Sequence, residues 1–334
     1  MRVLVTGGDG YIGSHCVLAL LRNGHDVVTF DSHDTGHPEV SAAISKYEFQ
    51  GNSLESVEGN LLAEDEIKSV FKSFDIDAVI HFAAFSQVGE SMKNPGKYYR
   101  NNVCGTINLL DSMIESNVKK IVFSSTAATY GEPEYVPIDE KHVQKPINPY
   151  GRSKLMIENI MEDYDMAYGL RSVRLRYFNV VGADSQGLTG EWHDPESHLI
   201  PNILESTFEG GKAIELFGDD YPTRDGTCVR DYVNVEDLVD AHILALNYLN
   251  NGGKSDYFNL GTKDGYTVRE VLSECERVVG KTINPIICER RSGDPVSLVA
   301  DNTKAMRVLG WSPKRSLSDS IRTAYEWEKK KRGF

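Results

Sequence analysis

Short apolar runs and stretches of helical periodicity alternate along the first half of the chain. Arg2 to Val5 is an apolar run of strand length, and the apolar side chains between Tyr11 and Leu21 recur at helical spacing. The alternation continues to about residue 179, whereas residues 32–52 are polar and are expected to form an irregular loop. Alternating elements of this length predict an α/β fold with a doubly wound parallel sheet. Further predicted strands cover 26–30, 54–57, 78–84, 119–125 and 170–177, and further helices cover 63–74, 94–117 and a segment from about residue 148.

The pattern becomes irregular after residue 180, and a smaller second domain is expected. Loop, short strand and helix follow one another over residues 180–230, and residues 231–261 look like a return to the sheet. The expected domains are therefore 1–179 with the return segment 231–261, and a mixed α/β domain built from 180–230 and 262–334. The individual predictions in this half are helices over 199–209, 235–249, 267–279 and 316–331, and strands over 214–217, 231–234, 256–260 and 285–288.

Three glycines fall three residues apart where the first strand meets the first helix. Gly7 permits a tight turn, Gly10 lets a pyrophosphate approach the backbone, and Gly13 lets the helix pack close to the sheet. The free N–H groups and the positive dipole end of that helix then face the phosphates. A glycine string alone is a weak signal, but the order strand, glycine loop, helix is the context that a Rossmann dinucleotide site requires.

A carboxylate follows the second predicted strand, about twenty residues beyond the glycines. Asp31 can accept hydrogen bonds from the ribose hydroxyls of adenosine. The same negative charge would repel a 2′-phosphate. The sequence therefore favours NAD over NADP as cofactor.

A tyrosine and a lysine stand four residues apart on the helix that begins near residue 148. Tyr150 and Lys154 therefore lie on one helix face. A phenol with a pKa of about 10 is a poor base at neutral pH, but a neighbouring ammonium and a positive nicotinamide ring would lower that pKa. Thr126 follows a predicted strand, and its hydroxyl can bond the same substrate oxygen. Such Tyr–Lys pairs are common on surfaces, but the position after a dinucleotide half-site favours a catalytic pair.

Charge and cysteine content narrow the class of protein. The net charge of −13 argues against nucleic acid or an anionic membrane as the main partner. The five cysteines form no C-x-x-C pair, as expected of a reduced cytoplasmic chain. His193 and His198 are not in an H-E-x-x-H pattern, so no metal is expected. Neither a leader peptide nor a membrane span is expected from the apolar pattern.

Seven motifs together resemble the extended short-chain dehydrogenase/reductase superfamily. They are TGGDGYIGSH, Asp31, HFAA, NNVCGT, SSTAATYG, NPYGRSK and RYFNVVGA. Three later motifs are similar to those of the UDP-glucose 4-epimerase family, and the resemblance covers nearly the whole chain. These are FGDDYPTRDGTCVRDYV at 217–233, RRSGDP at 290–295 and LGWSP at 309–313.

The resemblance implies a role for each matching residue. Tyr150 is the acid and base at the sugar 4-hydroxyl, Lys154 binds the nicotinamide ribose and lowers the pKa of Tyr150, and Thr126 bonds the 4-oxygen. Two of the implied substrate residues are arginines, which suit a diphosphate, and Asp294 can accept bonds from the uridine ribose. The implied NAD contacts are Gly7, Gly10, Tyr11, Ile12, Gly13, Asp31, Asn60, Leu61, Phe82, Ala83, Asn101, Tyr150, Lys154 and Phe178. The implied substrate contacts are Thr126, Asn179, His198, Leu199, Phe217, Arg230, Tyr232, Arg291, Asp294 and Leu298.

Some positions depart from the family pattern. Asn60 replaces an Asp, and its amide oxygen can still bond the amino edge of adenine. Ser86 stands where a lysine contacts the pyrophosphate, which weakens the expected hold on the cofactor. His198 stands where some members have an Asn that contacts the substrate phosphate, and it can still donate one hydrogen bond.

The implied reaction is inversion at C4 of a UDP-hexose, between UDP-glucose and UDP-galactose, through a transient 4-keto sugar with NAD retained throughout. A nucleotide-sugar 4,6-dehydratase would need an acid and a base after Thr126, where Ala127 and Ala128 stand. A plain NADP-dependent sugar reductase is disfavoured by Asp31. A non-catalytic NAD-sensing module would have no reason to keep Thr126, Tyr150 and Lys154 together.

Substrate breadth is left open at Leu298, which matches the family position that admits or excludes an N-acetyl group. Leucine is intermediate in size between the residues that exclude and those that admit it, so a preference for UDP-glucose and UDP-galactose is expected. A UDP-N-acetylglucosamine 4-epimerase or a dual-substrate enzyme is the alternative. The resemblance also implies a homodimer, and a part in galactose metabolism or in polysaccharide precursor supply.

Overall fold

The computed structural model describes residues 1–47, 49, 51–291 and 295–333. The strands in these residues are β1 (Arg2–Thr6), β2 (Asp26–Asp31), β3 (Leu54–Glu58), β4 (Ala78–His81), β5 (Lys120–Ser124), β6 (Arg171–Tyr177), β7 (Asn179–Val181), β8 (Glu215–Phe217), β9 (Val229–Arg230), β10 (Tyr232–Asn234), β11 (Asp256–Leu260), β12 (Tyr266–Thr267), β13 (Ile286–Cys288) and β14 (Ser297–Leu298).

The α-helices are α1 (Tyr11–Arg22), α2 (Pro38–Ile44), α3 (Glu64–Ser73), α4 (Val88–Lys93), α5 (Pro95–Tyr98), α6 (Gly105–Glu115), α7 (Pro149–Tyr168), α8 (Leu199–Ser206), α9 (Val235–Asn250), α10 (Val268–Val279), α11 (Thr303–Leu309) and α12 (Leu317–Lys331). A π-helical turn, Tyr99–Cys104, joins α5 to α6, and a short 3-10 turn, Ala127–Thr129, follows β5. No helix in the described ranges is long and apolar enough to cross a membrane.

Seven parallel strands form the central sheet in the order β3-β2-β1-β4-β5-β6-β11. Thr6 pairs with Phe30 on one side and with His81 on the other, so β1, β2 and β4 end at the same edge. The strand order reverses between β1 and β4, and ligands of such sheets bind at this switch point. The predicted doubly wound α/β fold is confirmed.

The central sheet is apolar on both faces because helices cover both. Val3 and Val5 face a core shared with α1 and α9, whereas Leu4 faces a second core shared with α3, α6 and α7. All three side chains are fully buried. Parallel strands covered on both sides read as continuous apolar runs, which is the pattern that the sequence shows.

A third hydrophobic core is built mainly from helices in the second half of the chain. Helices α8, α10 and α12 contribute Ile203, Val271 and Ile321 to it. Three small sheets accompany these helices, in the orders β10-β7, β12-β9-β14 and β13-β8. Part of the C-terminal region packs elsewhere, because Leu309 and Trp311 are buried in the core that α1 and α9 share.

The structure differs from the predicted elements in several places. Residues 32–52 contain helix α2, and the 94–117 helix is interrupted by the π-helical turn. Helix α4 was not predicted, and β10 pairs with β7 rather than with the central sheet. Helix α2 buries Val40 and Ile44, and two apolar side chains are too few to show a period in the sequence.

Candidate active site

The glycine loop lies at the carboxyl end of β1, against the loop that follows β4. Gly7 has a φ of +73°, and a Cβ added there would lie 2.6 Å from the Ala83 backbone nitrogen. A Cβ on Gly13 would lie 2.0 Å from the Gly7 carbonyl oxygen, so α1 approaches the loop only because this residue is glycine. A Cβ added to Gly10, which caps α1, would lie 3.4 Å from the Gly7 carbonyl oxygen, which is an ordinary van der Waals distance. The loop therefore keeps open space at Gly10, where a pyrophosphate fits against the N–H groups of α1.

Gly8 is a required glycine that the sequence reasoning missed. A Cβ there would lie 2.6 Å from the Thr29 Cγ2 atom on β2. The motif shows three glycines at regular spacing, and nothing in the sequence distinguishes Gly8 from an ordinary turn residue. Glycine is required at this position because a side chain would collide with Thr29 on the neighbouring strand β2.

Asp31 ends β2 as predicted, and the backbone orients its carboxylate. The carboxylate accepts hydrogen bonds from the backbone N–H groups of Asp9 and His33, both at 2.9 Å. Burial raises the pKa of this carboxyl group. A carboxylate has about four lone-pair sites, so two ribose hydroxyls can still be accepted.

The remaining predicted NAD contacts lie around this edge with differing exposure. The amide oxygen of Asn60 accepts the Leu62 N–H at 2.9 Å and retains a second lone pair for an adenine amino group. Tyr11 donates its hydroxyl to the Gly182 carbonyl at 2.6 Å and so links α1 to the segment after β7. Asn101 lies in the π-helical turn and donates to Asn102. Leu61 is buried, and Ile12, Phe82, Ala83 and Phe178 are half-buried.

The structure brings Thr126, Tyr150 and Lys154 into one buried region. Tyr150 and Thr126 are each 8% exposed, and Lys154 is 3% exposed. Helix α7 begins here because Asn148 caps it, accepting the Gly151 N–H at 2.8 Å, and Pro149 takes the first position. The Lys154 ammonium donates to the Ser124 carbonyl at 2.8 Å, which holds it against the end of β5.

The pKa values of this pair are set mainly by burial. Burial raises the pKa of Tyr150 to about 12, and the hydrogen bond from Thr126 opposes that rise. Burial lowers the pKa of Lys154 to about 7. The sequence predicts a lowered phenol pKa, whereas in the structure without a bound nucleotide desolvation outweighs the attraction of the lysine. A positive charge placed beside Tyr150 by a ligand acts in the expected direction.

Tyr177 is a neighbour of this group that the sequence reasoning missed. It is the last residue of β6, and its hydroxyl forms a short hydrogen bond with the Ser124 hydroxyl. Burial and the nearby Tyr150 raise its pKa above the ordinary value. The sequence feature that could have identified Tyr177 as a site residue is its position at the end of a predicted strand.

A buried ion pair anchors α7 one turn beyond Lys154. Glu158 lies 2.5 Å from the guanidinium of Arg176 on β6, and their side chains are 2% and 3% exposed. Glu158 also accepts the Ser125 hydroxyl at 2.5 Å. Glu158 therefore connects the helix of Tyr150 and Lys154 to both β5 and β6.

Two groups of the predicted substrate residues come together in the second half of the chain. Arg230 on β9 pairs with Leu298 on β14, and its guanidinium donates to the Pro295 carbonyl at 2.8 Å. The guanidinium of Arg291 lies 3.8 Å from the ring centre of Phe217. Guanidinium groups suit the phosphates of a nucleoside diphosphate, and an aromatic ring such as that of Phe217 can pack against its base.

The other predicted substrate residues are placed as follows. Asn179 is exposed and pairs with Tyr232, which is itself buried in the core with α8, α10 and α12. Leu199 is the first residue of α8, and His198 precedes it with its Nδ1 atom directed toward Glu191. Asp294 lies outside the described residues.

Comparison with known proteins identifies the family of the chain. Residues 3–261 match the NAD dependent epimerase/dehydratase family. The chain is 52% identical, over 98% of its length and 97% of the relative's, to a UDP-glucose 4-epimerase of Lactobacillus helveticus. It superposes with a TM-score of 0.92 on the crystal structure of UDP-glucose 4-epimerase from Brucella ovis in complex with NAD, at 43% identity and 98% coverage of each chain. The Bifidobacterium longum UDP-glucose 4-epimerase in complex with NAD+ and UDP gives a TM-score of 0.93, at 38% identity and 100% coverage of each chain.

Proposed function

The chain belongs to the NAD dependent epimerase/dehydratase family, and from this premise we propose that it is a UDP-glucose 4-epimerase that interconverts UDP-glucose and UDP-galactose. The observation that carries the proposal is the buried group of Thr126, Tyr150 and Lys154 beside an open glycine loop. The chain shares 52% identity with a named UDP-glucose 4-epimerase over nearly its full length.

NAD, when bound, supplies the acceptor and the donor of a hydride at C4 of the sugar. We assign its pyrophosphate to the loop at Gly7, Gly10 and Gly13, and its adenosine ribose to Asp31. The open space at Gly10 and the two free lone-pair sites of Asp31 fit these groups. The other NAD contacts proposed above surround the same sheet edge.

Tyr150 is the proposed acid and base at the 4-hydroxyl. Its raised pKa means that the phenol of the nucleotide-free protein keeps its proton, so it becomes a base only when positive charge is brought beside it. The Thr126 hydroxyl is proposed to form a hydrogen bond with the same 4-oxygen of the sugar. The Lys154 ammonium keeps two further N–H groups beyond the one given to Ser124, and these suit the hydroxyls of a ribose.

Inversion requires the 4-keto sugar to turn over while the nucleotide stays bound. Arg230, Arg291 and Phe217 are suited to hold the uridine diphosphate, and Asn179, Leu199, His198, Tyr232 and Leu298 complete the proposed substrate contacts. A strong grip on the diphosphate with few contacts to the hexose allows the turn. After it, Tyr150 returns the proton to the 4-oxygen.

The test uses freshly purified protein with no added NAD. We expect proton NMR to show conversion of UDP-galactose to UDP-glucose, with slower conversion of UDP-N-acetylgalactosamine because Leu298 is intermediate in size. Tyr150→Phe removes the proton acceptor and is expected to lower turnover by about 100- to 10,000-fold. Tyr164→Phe, on the same helix and bonded to Asp111, is the matched control.

Three outcomes would contradict parts of this proposal. A 4-keto-6-deoxy product would indicate a dehydratase, although Ala127 and Ala128 leave no acid or base in the turn after Thr126. Equal rates on the two sugars would remove the preference assigned to Leu298. Near-normal turnover by Tyr150→Phe would exclude Tyr150 as the acid and base.

We further propose two domains, a cytoplasmic location and a role in galactose metabolism. The NAD-binding domain is 1–179 with 231–261, and the nucleotide-sugar domain is 180–230 with 262–334. The separate core of α8, α10 and α12 supports this division. None of the five cysteines forms a disulfide in the part of the chain that the structure describes, which suits a reducing compartment.

We also propose a homodimer. The outer face of α7 carries a shallow groove with the π-helical turn, in which Leu155 and Met156 are apolar. Met156 is 45% exposed. A second copy of the chain would cover this apolar surface. The groove is lined by Tyr99, Pro146, Arg152, Leu155, Met156 and Asn159.

A further inference from the structure

Four side chains with metal-ligand atoms converge in the loop between β7 and α8. They are Glu191, His193, Glu196 and His198, and one ligand atom from each lies within 4.8 Å of all the others. We propose that these four residues bind one divalent cation of the zinc type. The four residues include none of Thr126, Tyr150 and Lys154, and the proposal does not depend on the epimerase function.

The distances within the cluster fit four ligands around one ion. The Nδ1 atom of His198 lies 2.7 Å from Glu191 and 3.0 Å from Glu196, and that of His193 lies 3.3 and 3.6 Å from the same carboxylates. Ligands bound to tetrahedral zinc at about 2.0–2.2 Å stand roughly 3.3–3.5 Å apart. The four nitrogen–oxygen distances bracket this spacing, and all the ligand atoms lie within 4.8 Å of one another, so modest shifts of these side chains would place them around a central ion.

The chemistry of the donors also points to a cation. Two imidazoles and two carboxylates are ligands that Zn²⁺ accepts, and the two carboxylates balance its charge. The Nδ1 atom of His193 is buried and has no well-aligned hydrogen-bond partner among the described residues, although two carboxylates face it. An ion between these groups would satisfy that nitrogen.

The surrounding structure holds the ligands in place. The Glu191 carbonyl accepts the indole N–H of Trp327 at 3.0 Å, and the next residue, Trp192, stacks on His37 at 3.9 Å between ring centres. Glu196 accepts the backbone N–H of His198 at 2.8 Å. Contacts that orient metal ligands in this way strengthen binding.

The cluster is most exposed to solvent at His198. The side chains of Glu191 and Glu196 are 7% and 11% exposed, whereas that of His198 is 50% exposed. An ion can therefore enter past His198. No metal was expected from the sequence because His193 and His198 do not form the helical H-E-x-x-H pattern. The four ligand residues lie instead in an irregular loop, which that pattern does not describe.

A bound ion would fix the loop that leads into α8. Leu199, the first residue of α8, is a proposed substrate contact, and the ring of His193 lies edge-on to Tyr11 of the glycine loop, 6.3 Å between centres. Using Nδ1 of His198 for the ion leaves Nε2 for a substrate phosphate. We therefore assign the ion a positioning role, with no part in the proton or hydride transfer.

The test measures metal directly. Protein purified, stripped with a chelator and desalted is incubated with Zn²⁺, desalted again and analysed by mass spectrometry of the metal. We expect about one retained ion per chain and a higher Tm with Zn²⁺ than without. Co²⁺ in place of Zn²⁺ should give the visible absorption of a four-coordinate site with nitrogen and oxygen ligands.

Variants separate a built site from adventitious binding. Glu191→Gln and His198→Ala should each lower the affinity for Zn²⁺ more than about 100-fold, because loss of a ligand exceeds the effect of losing an orienting contact. His198→Ala changes a half-exposed side chain, so it tests the site even where the buried Glu191 variant folds poorly. His25→Gln, which changes the partly exposed histidine just before β2, is the control. No retained ion in the unmodified chain, or equal retention by His198→Ala, would overturn the proposal, whatever the epimerase activity.

Discussion

At the scale of the residue, burial governs the chemistry of Tyr150 and Lys154. Their spacing on α7 was readable from the sequence, but the directions of their pKa shifts come from the nearly complete loss of solvent around them. Desolvation shifts both groups toward their neutral forms, so near pH 7 Tyr150 keeps its proton while Lys154 is divided between ammonium and amine. The pair is thus poised to change protonation when a charged cofactor arrives.

The lowered pKa of Lys154 predicts a pH dependence of stability in the nucleotide-free protein. Its pKa is about 7 in the folded chain and about 10.4 when unfolded, so between these values only the unfolded chain holds the proton. The free energy of unfolding should therefore rise with pH across this window. Relative to Lys154→Met, the unmodified chain should gain more than about 1 kcal/mol from pH 7 to pH 9.

Urea unfolding at both pH values measures this difference after bound nucleotide has been removed. Subtracting the Lys154→Met result cancels the other titrating groups. Parallel pH profiles for the two proteins would show that Lys154 keeps its ordinary pKa in the folded state.

At the scale of the element, close approach explains the glycine loop and a buried charge explains the placement of α7. Gly7 and Gly13 are required by distances to Ala83 and to each other, and the motif spacing already indicated both. The Glu158–Arg176 pair could not be predicted from the sequence. Charged residues in helices and strands are usually exposed, and only the fold shows that these two are buried together.

Gly13→Ala should abolish retention of NAD. The new Cβ would lie 2.0 Å from the Gly7 carbonyl oxygen, so the loop or α1 must move away. Nucleotide released by acid and separated by chromatography gives the retained amount, which should fall to less than about a tenth of normal, since a few kcal/mol of steric strain suffices. Gly89→Ala, whose Cβ has no neighbour within 4 Å, should retain NAD normally. Full retention by Gly13→Ala would exclude the proposed pyrophosphate site.

Glu158→Gln should destabilise the protein by about 3–5 kcal/mol, because Arg176 is left buried without its counter-charge. Glu162→Gln on the same helix is the comparison, since Glu162 is 54% exposed and its ion pair should contribute less than about 1 kcal/mol. Denaturant unfolding of both variants measures the two losses. A similar small loss for each would mean that the buried pair does not anchor α7.

At the scale of the whole molecule, three cores and one sheet edge bring distant segments together. Residues near 7, 31, 126 and 150 meet because β1, β2 and β5 end at the same edge and α7 follows them. The second half adds Arg230, Phe217 and Arg291 through short strands that pair over long sequence separations. The outer face of α7 is the surface proposed to contact a second copy.

Met156→Glu should convert the proposed dimer to a monomer, because it places a charge in the apolar groove on α7. Light scattering during size-exclusion chromatography gives the mass. Met166→Glu is the matched control, since Met166 lies on the same helix, 79% exposed and outside the groove. An unmodified chain that is already monomeric would contradict the homodimer, and a dimeric Met156→Glu would place the interface elsewhere.

The sequence by itself determined the parallel sheet, the glycine loop and the spacing of Tyr150 and Lys154, because periodicity and turn chemistry are local properties. The tertiary structure decided what depends on contacts between distant segments. It moved β10 out of the central sheet, buried Glu158 with Arg176, and required glycine at position 8. It also gathered Glu191, His193, Glu196 and His198 around one point. Burial and convergence are set by the packed chain as a whole, and no local pattern encodes them.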